Sequence, residues 1–225
     1  INGFHVTREH VFAALDGAQA GPVAEGNVGG GTGMVTHEFK GGIGTASRRV
    51  EPAGGSYTVG ALVQSNYGIR RALRIAGVPV GEEITDLLPG KAPQVEERGS
   101  IIVVIATDAP LLPHQMRRVA QRASLALGRM GSYASNGSGD IFVAFSTANP
   151  GAAARTGRAR LEMLPNDALG PLFLATVEAT EEAIVNALVA ARTMTGANGY
   201  TVHALPHDRL QIALRKYGRL QNRGR

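Results

Sequence analysis

The chain reads as a layered α/β domain, a sheet covered by helices, and three observations carry that reading. Residues 101–106 form a continuous apolar run, five of its six members β-branched, which predicts a strand buried on both faces. Residues 141–145 (Ile-Phe-Val-Ala-Phe) predict a second buried strand. Between and after them lie helical patterns with one apolar face. Met116, Val119, Ala120, Ala123 and Leu127 share a face opposite Arg117, Arg118, Gln121 and Arg122. A long, largely apolar helix is predicted over 171–194, with Glu178, Glu181 and Glu182 toward water. Strands of this kind alternating with such helices imply helices packed on a sheet. The pattern leaves open whether the strands run parallel or antiparallel.

Taken in order, Thr7 can cap a short helix through Val11 and Leu15 that ends near Gly17. Residues 21–44 hold nine glycines and predict loop and tight turns rather than regular structure. Residues 57–64 suit a buried strand, with Ser65-Asn66-Tyr67-Gly68 turning off its end. Residues 81–99, polar and punctuated by Pro and Gly, read as a linker into the 101–106 strand. Pro113 suits a helix start. Residues 135–140 turn into the next strand. Asn198-Gly199 turns into Tyr200-Thr201-Val202, and a last helix starts near His207-Asp208. No internal repeat is evident.

At 225 residues the chain can bury a substantial core, and without Trp that core is mostly aliphatic. The absence of Cys excludes disulfides, thiolate metal sites and a cysteine nucleophile, and fits a cytoplasmic setting. No run approaches the roughly 18 apolar residues of a membrane span, and no signal peptide is visible. The formal charge of +5 is located in a tail: the last 17 residues hold six basic side chains and no acid. A basic tail, with only 5% aromatic residues in the chain, argues against a nucleic-acid face.

The chemistry gathers around Gly99-Ser100, where the linker meets the strand. A cut there would leave Ser100 with a hydroxyl and a free α-amine, nucleophile and base in one residue. The reference pKa of such an amine is about 7.7–8.0, so it can accept the hydroxyl proton near neutrality. Gly99 leaves the attack unobstructed and accepts unusual backbone angles. Asn66, at the mouth of a strand, offers a neutral amide donor for a developing oxyanion. Ser138 and Asp140 alternate in a tight Gly turn and can point to one side, a hydroxyl and a carboxylate able to orient that amine. His37, His114 and His207 read as polar surface or capping residues. The Gly-rich 26–33 stretch lacks the third glycine of a dinucleotide loop, and Gly90-Lys91-Ala92 lacks the rest of a Walker motif, so no nucleotide site is expected. No His/Asp/Glu cluster has metal-ligand spacing, so no metal or other cofactor is expected.

Four stretches, in this order, resemble the DmpA-like family of L-aminopeptidase/D-esterases and β-peptidyl aminopeptidases. They are Glu25-Gly26-Asn27-Val28-Gly29-Gly30-Gly31-Thr32-Gly33-Met34, Ser65-Asn66-Tyr67-Gly68, the SIIVVIATDAPLLPHQ run from Ser100 to Gln115, and Gly137-Ser138-Gly139-Asp140. The resemblance covers essentially the whole chain. It implies an α-β-β-α sandwich, layered like the N-terminal-nucleophile hydrolases but connected differently. It further implies one domain over 1–225, part of a longer precursor. Self-cleavage at Gly99–Ser100 would give an α-chain ending at 99 and a β-chain beginning at 100. Ser100 would be the nucleophile, Asn66 an oxyanion donor, Ser138 and Asp140 its supporting pair, and Gly30, Gly31 and Gly33 would line the pocket for the substrate's N-terminus. The family's acid is often Glu, and Asp140 is one methylene shorter, which bears on its reach. The implied activity is release of N-terminal residues from small peptides, amino-acid amides or esters through an acyl-enzyme, by heterodimers that assemble further into a homo-oligomer. Two alternatives are an ornithine-type N-acetyltransferase of the same fold, against which Ser rather than Thr at position 100 argues, and a non-catalytic assembly protein.

Overall fold

The computed structural model describes residues 3–52, 55–90 and 96–220. Its centre is a four-stranded sheet in the order β3-β4-β5-β6, formed by Gly42–Val50, Tyr57–Asn66, Ser100–Thr107 and Ile141–Ser146. Two short hairpin sheets flank it: β1 (Val35–Thr36) with β2 (Phe39–Lys40), and β7 (Met194–Thr195) with β8 (Thr201–Val202). The first two junctions of the large sheet are antiparallel and the last, β5 with β6, is parallel. A parallel pair needs a crossover, and α3 (Pro113–Gln121) and α4 (Ala123–Arg129) supply it.

One face of the sheet is covered. The 21-residue helix α5 (Gly170–Ala190) lies along β3 and β4, with α3 and α4 beside it. Val59, Ala61 and Val63 of β4 and Ile101, Val103 and Ile105 of β5 point into this layer and are buried. Gly44 of β3 lets α5 approach: a Cβ there would stand within 2.6 Å of the Ala187 backbone nitrogen. That close contact hides β3 from sequence patterning, since its glycines and alternating polar residues read as loop.

The other face is open among the described residues. Ile102 is 39% exposed, and Ile141, Val143 and Phe145 stand at 52%, 46% and 48%. The expectation of strands buried on both faces is therefore corrected for β5 and β6. Strand β5 buries one face only and β6 only half-buries one, because the described residues lay helices on one side alone. A second large sheet is not among them.

The remaining elements follow the sequence closely. Helix α1 (Arg8–Asp16) begins after Thr7 and is exposed throughout. The predicted helix from Pro113 is broken at Arg122 into α3 and α4. Asn198 adopts a left-handed φ of 57° in the turn before β8, and α6 (His207–Lys216) closes the described chain. The linker carries one short helix, α2 (Val80–Glu83), and Ile84 within it is buried. Residues 91–95 of the linker lie outside the described residues. Glu178 and Glu182 pair with Arg48, and Glu181 with Arg129, so the acidic face of α5 is tied down at the surface.

Candidate active site

The register of three strands builds the site. Because β4 runs antiparallel to β5, its last residue lies at the start of β5, and Asn66 is directly paired with Ser100. Because β6 runs parallel to β5, its start lies at the same end, with Ile141 beside Ile102. Asp140, one residue earlier, thus meets Ile101, whose backbone N–H donates to its Oδ1 at 3.0 Å. Three motifs far apart in sequence converge at one sheet end.

Ser100 is half-buried, and its Oγ accepts a hydrogen bond from the Gly139 N–H at 2.9 Å. That contact leaves the hydroxyl's own proton directed elsewhere. Gly99 precedes it with φ 89°, a left-handed conformation that favours glycine. A Cβ on Gly99 would stand 2.0 Å from the Asn66 carbonyl oxygen and 3.1 Å from its side-chain nitrogen. The Asn66 amide group therefore lies against the Gly99–Ser100 junction. The Val35 N–H donates to Asn66 Oδ1 at 2.9 Å, which turns the amide oxygen away and frees its NH₂ as a donor.

Ser138 and Asp140 line one open cleft of about 470 Å³ together with Ser132, Tyr133 and Phe142. Both residues thus border the same cleft. Asp140 reaches the backbone next to Ser100 despite its short side chain. The glycine loop (Gly29–Gly33, a 3-10 turn) sits one step further out. Gly30 lies against the Gln64 side chain and Gly31 against Gly26, Gly42 and Ile43, and Val35 of β1, just past the loop, bonds Asn66. Gly33 has no side-chain or backbone neighbour within 4 Å of where its Cβ would stand. The structure brings Asn66 and Asp140 to the Ser100 end of β5, with Ser138 lining the same cleft as Asp140, and sets Gly30 against Gln64 of β4 and Gly31 against Gly26 and Gly42.

Several supporting residues carry no motif. Lys40 is buried, and its ammonium donates to the carbonyls of Gly31, Met34 and Gly41 at 3.1, 2.7 and 2.7 Å. Burial pushes its pKa down to about 8. This lysine ties Gly31 of the glycine loop to Met34 and Gly41, on either side of the Val35 whose N–H bonds Asn66. Tyr67 is buried with its hydroxyl unpartnered among the described residues; desolvation, then the charges of Glu97 and Asp140, push its ionisation well up. His37 corrects the surface expectation: it is fully buried, its Nδ1 meets the Ile69 carbonyl at 3.1 Å, and desolvation lowers its pKa to about 4. His114 and His207 are exposed. His207 starts α6, and its Nε2 meets the Val189 carbonyl.

Among the described residues no helix is long and apolar enough to cross a membrane, and no three His, Cys, Asp or Glu cluster as a metal site.

Comparison with known proteins follows the same lines. The family model described as Peptidase family S58 matches residues 1–202. A β-peptidyl aminopeptidase of Sphingosinicella microcystinivorans is 57% identical over 98% of this chain and 59% of its own length. One from Sphingosinicella xenopeptidilytica is 52% identical over 92% of this chain and 54% of its own. Among solved structures, the L-aminopeptidase D-Ala-esterase/amidase of Ochrobactrum anthropi is 52% identical with a TM-score of 0.89. That superposition covers 98% of this chain and 60% of that one, whose fold is described as a new variant of the Ntn hydrolase fold. The chain thus spans somewhat over half the length of these three relatives.

Proposed function

The chain belongs to peptidase family S58, and from that premise we propose that it is a self-processing serine aminopeptidase. A cut at Gly99–Ser100 gives two chains that stay joined through the β4–β5 pairing. The freed Ser100 amine takes the proton from Oγ, which attacks the carbonyl of the substrate's N-terminal residue. The Asn66 NH₂ receives the oxyanion, a donor type whose loss typically costs about 10²–10³ in rate. The leaving amine departs with the proton, and water then releases the residue from the acyl-enzyme. Ser138 and Asp140 orient the reacting end of β5, Asp140 through the Ile101 N–H.

The observation that carries this reading is the pairing of Ser100 with Asn66 directly after a left-handed Gly99. It gives nucleophile, oxyanion donor and scissile bond one address. Small peptides, amino-acid amides and esters are the proposed substrates, on the strength of the relatives named as β-peptidyl aminopeptidases and as an L-aminopeptidase D-Ala-esterase/amidase. Assembly of the cleaved heterodimer into a larger homo-oligomer is proposed from the family resemblance.

The test is the intact mass of the purified full-length protein beside its Ser100→Ala variant. Two fragments for the wild type, one beginning at Ser100, with an uncut and inactive variant, are expected. A wild type that hydrolyses peptides while uncut, or a variant that cuts itself, would remove Ser100 from both roles.

A further inference from the structure

Glu97 stands two residues before the proposed cut and is 5% exposed, although it belongs to a segment that reads as a solvated linker. Its partners explain the burial. The carboxylate accepts from Ser132 Oγ at 2.5 Å and from the Tyr133 N–H at 3.1 Å. Its own N–H donates to Tyr133 Oη at 3.2 Å, and its carbonyl accepts from Ser135 Oγ at 2.7 Å. Side chain and backbone are thus both fastened to residues 132–135.

The same loop grips the chain beyond the junction. The Ser138 N–H closes a turn onto the Ser135 carbonyl, Gly139 N–H holds Ser100 Oγ, and Asp140 holds the Ile101 N–H. Only Arg98 and Gly99 span the interval between the two grips. Residues 132–140 therefore set where the Gly99 carbonyl stands relative to the Ser100 hydroxyl. A small misplacement of reacting atoms is costly in rate, because attack needs a near-contact geometry.

We propose that Glu97 is a positioning residue for self-cleavage, an inference that rests on the reading of Gly99–Ser100 as the cut. In that step Ser100 Oγ bonds to the Gly99 carbonyl carbon as the Gly99–Ser100 C–N bond breaks, and the hydroxyl proton passes to the freed nitrogen. Water then splits the ester into the Gly99 carboxylate and the Ser100 hydroxyl. Glu97 holds the carbonyl side still while this happens. Its partners all lie on the Ser100 side of the cut, so the same bonds keep the new α-chain end docked afterwards.

The experiment follows cutting of freshly synthesised full-length protein by mass over time, for wild type, Glu97→Ala, Ser132→Ala and Glu97→Gln. The alanine at 97 is expected to slow cutting at least tenfold, and the one at 132 severalfold. Glu97→Gln keeps an acceptor for Tyr133 and lets the Ser132 hydroxyl turn to accept, so it should restore most of the rate. Thermal unfolding of each variant in a Ser100→Ala background separates slow cutting from a lost fold. Should Glu97→Ala not fold, Ser132→Ala decides. Wild-type cutting rates in the alanine variants would overturn the role of Glu97 alone. A wild type that is never cut would instead remove the self-processing reading, and this role with it.

Discussion

Replacing Asn66 separates the bond its amide makes to Val35 from the donor role proposed for it. Its oxygen accepts from the Val35 N–H at 2.9 Å, and its NH₂ faces the Gly99–Ser100 junction. Asn66→Asp keeps the acceptor and removes the donor, setting a negative oxygen where an oxyanion is to form. Asn66→Ala removes both. Losing one oxyanion donor costs about 2.7–4 kcal/mol of transition-state stabilisation, or about 10²–10³ in rate. Losing the bond to Val35 costs stability, about 0.5–1.5 kcal/mol net. Asn66→Asp is therefore expected to unfold near the wild-type midpoint with turnover down at least a hundredfold. Asn66→Ala should show a similar loss of turnover and also unfold earlier. The assay is kcat of the cut enzyme on a chromogenic amino-acid amide, with urea unfolding of the same preparations. An Asn66→Asp enzyme within threefold of wild type would refute the donor role and leave Asn66 as a strut for β1.

Three further outcomes are expected. Gly99→Ala combines a left-handed residue, about 1–2 kcal/mol, with a Cβ 2.0 Å from the Asn66 carbonyl oxygen. Its thermal midpoint should fall and its self-cleavage slow at least tenfold, and wild-type cutting would show that the conformation is dispensable. Tyr67→Phe removes a buried hydroxyl with no partner among the described residues, a group whose unsatisfied burial costs about 1–3 kcal/mol. Denaturant unfolding should show it as stable as wild type or more so, and a clear loss would reveal a partner for the hydroxyl. His37 has a folded pKa lowered to about 4 by burial, against about 6.5 when unfolded. The unfolded chain therefore binds the extra proton first, so this contribution is complete above pH 6.5 and is lost as pH falls toward 4, by about 3 kcal/mol. Urea titrations at pH 7 and 4.5 should show that loss in wild type and a smaller one in His37→Gln. An equal pH dependence in both would place the effect elsewhere.

The site was legible where chemistry is written in residue type. Gly99-Ser100, Asn66 and Ser138-x-Asp140 each stand out as short polar motifs at the mouth of an apolar run. Their convergence was not legible, because periodicity gives strands without partners or direction. Only the register, antiparallel to β4 and parallel to β6, puts Asn66 and Asp140 on either side of the β5 start. Lys40 and Glu97 were invisible for a different reason. A charged residue in a Gly-rich or polar stretch reads as solvated, and its burial here follows from carbonyls and loop donors that tertiary structure gathers around it. Strand β3 was hidden by Gly44, which serves helix packing at the expense of strand pattern. The continuous apolar runs of β5 and β6 specified strands correctly, yet could not say that one face stands open among the described residues.

No histidine among the described residues is hydrogen-bonded to Ser100. His37 is spent on Ile69 and held neutral by burial, and His207 meets Val189. In the uncut chain the Ser100 nitrogen is an amide, which has no useful basicity. On the proposed reading the cut therefore supplies the base as well as baring the nucleophile, and a single event switches on a site whose donor and supports are already in place. That order explains why so much of the local structure is fixed before any base exists. Asn66 is oriented by Val35, Ser100 Oγ by Gly139 and the following backbone by Asp140. These contacts belong to strand ends and a loop that do not depend on the broken bond. Ser100 is held from the β5 side, by the Gly139 N–H on its Oγ and by its pairing with Asn66. On the same reading the nucleophile would stay in place after the cut, with the α-chain end still held at Glu97 by Tyr133 and Ser135.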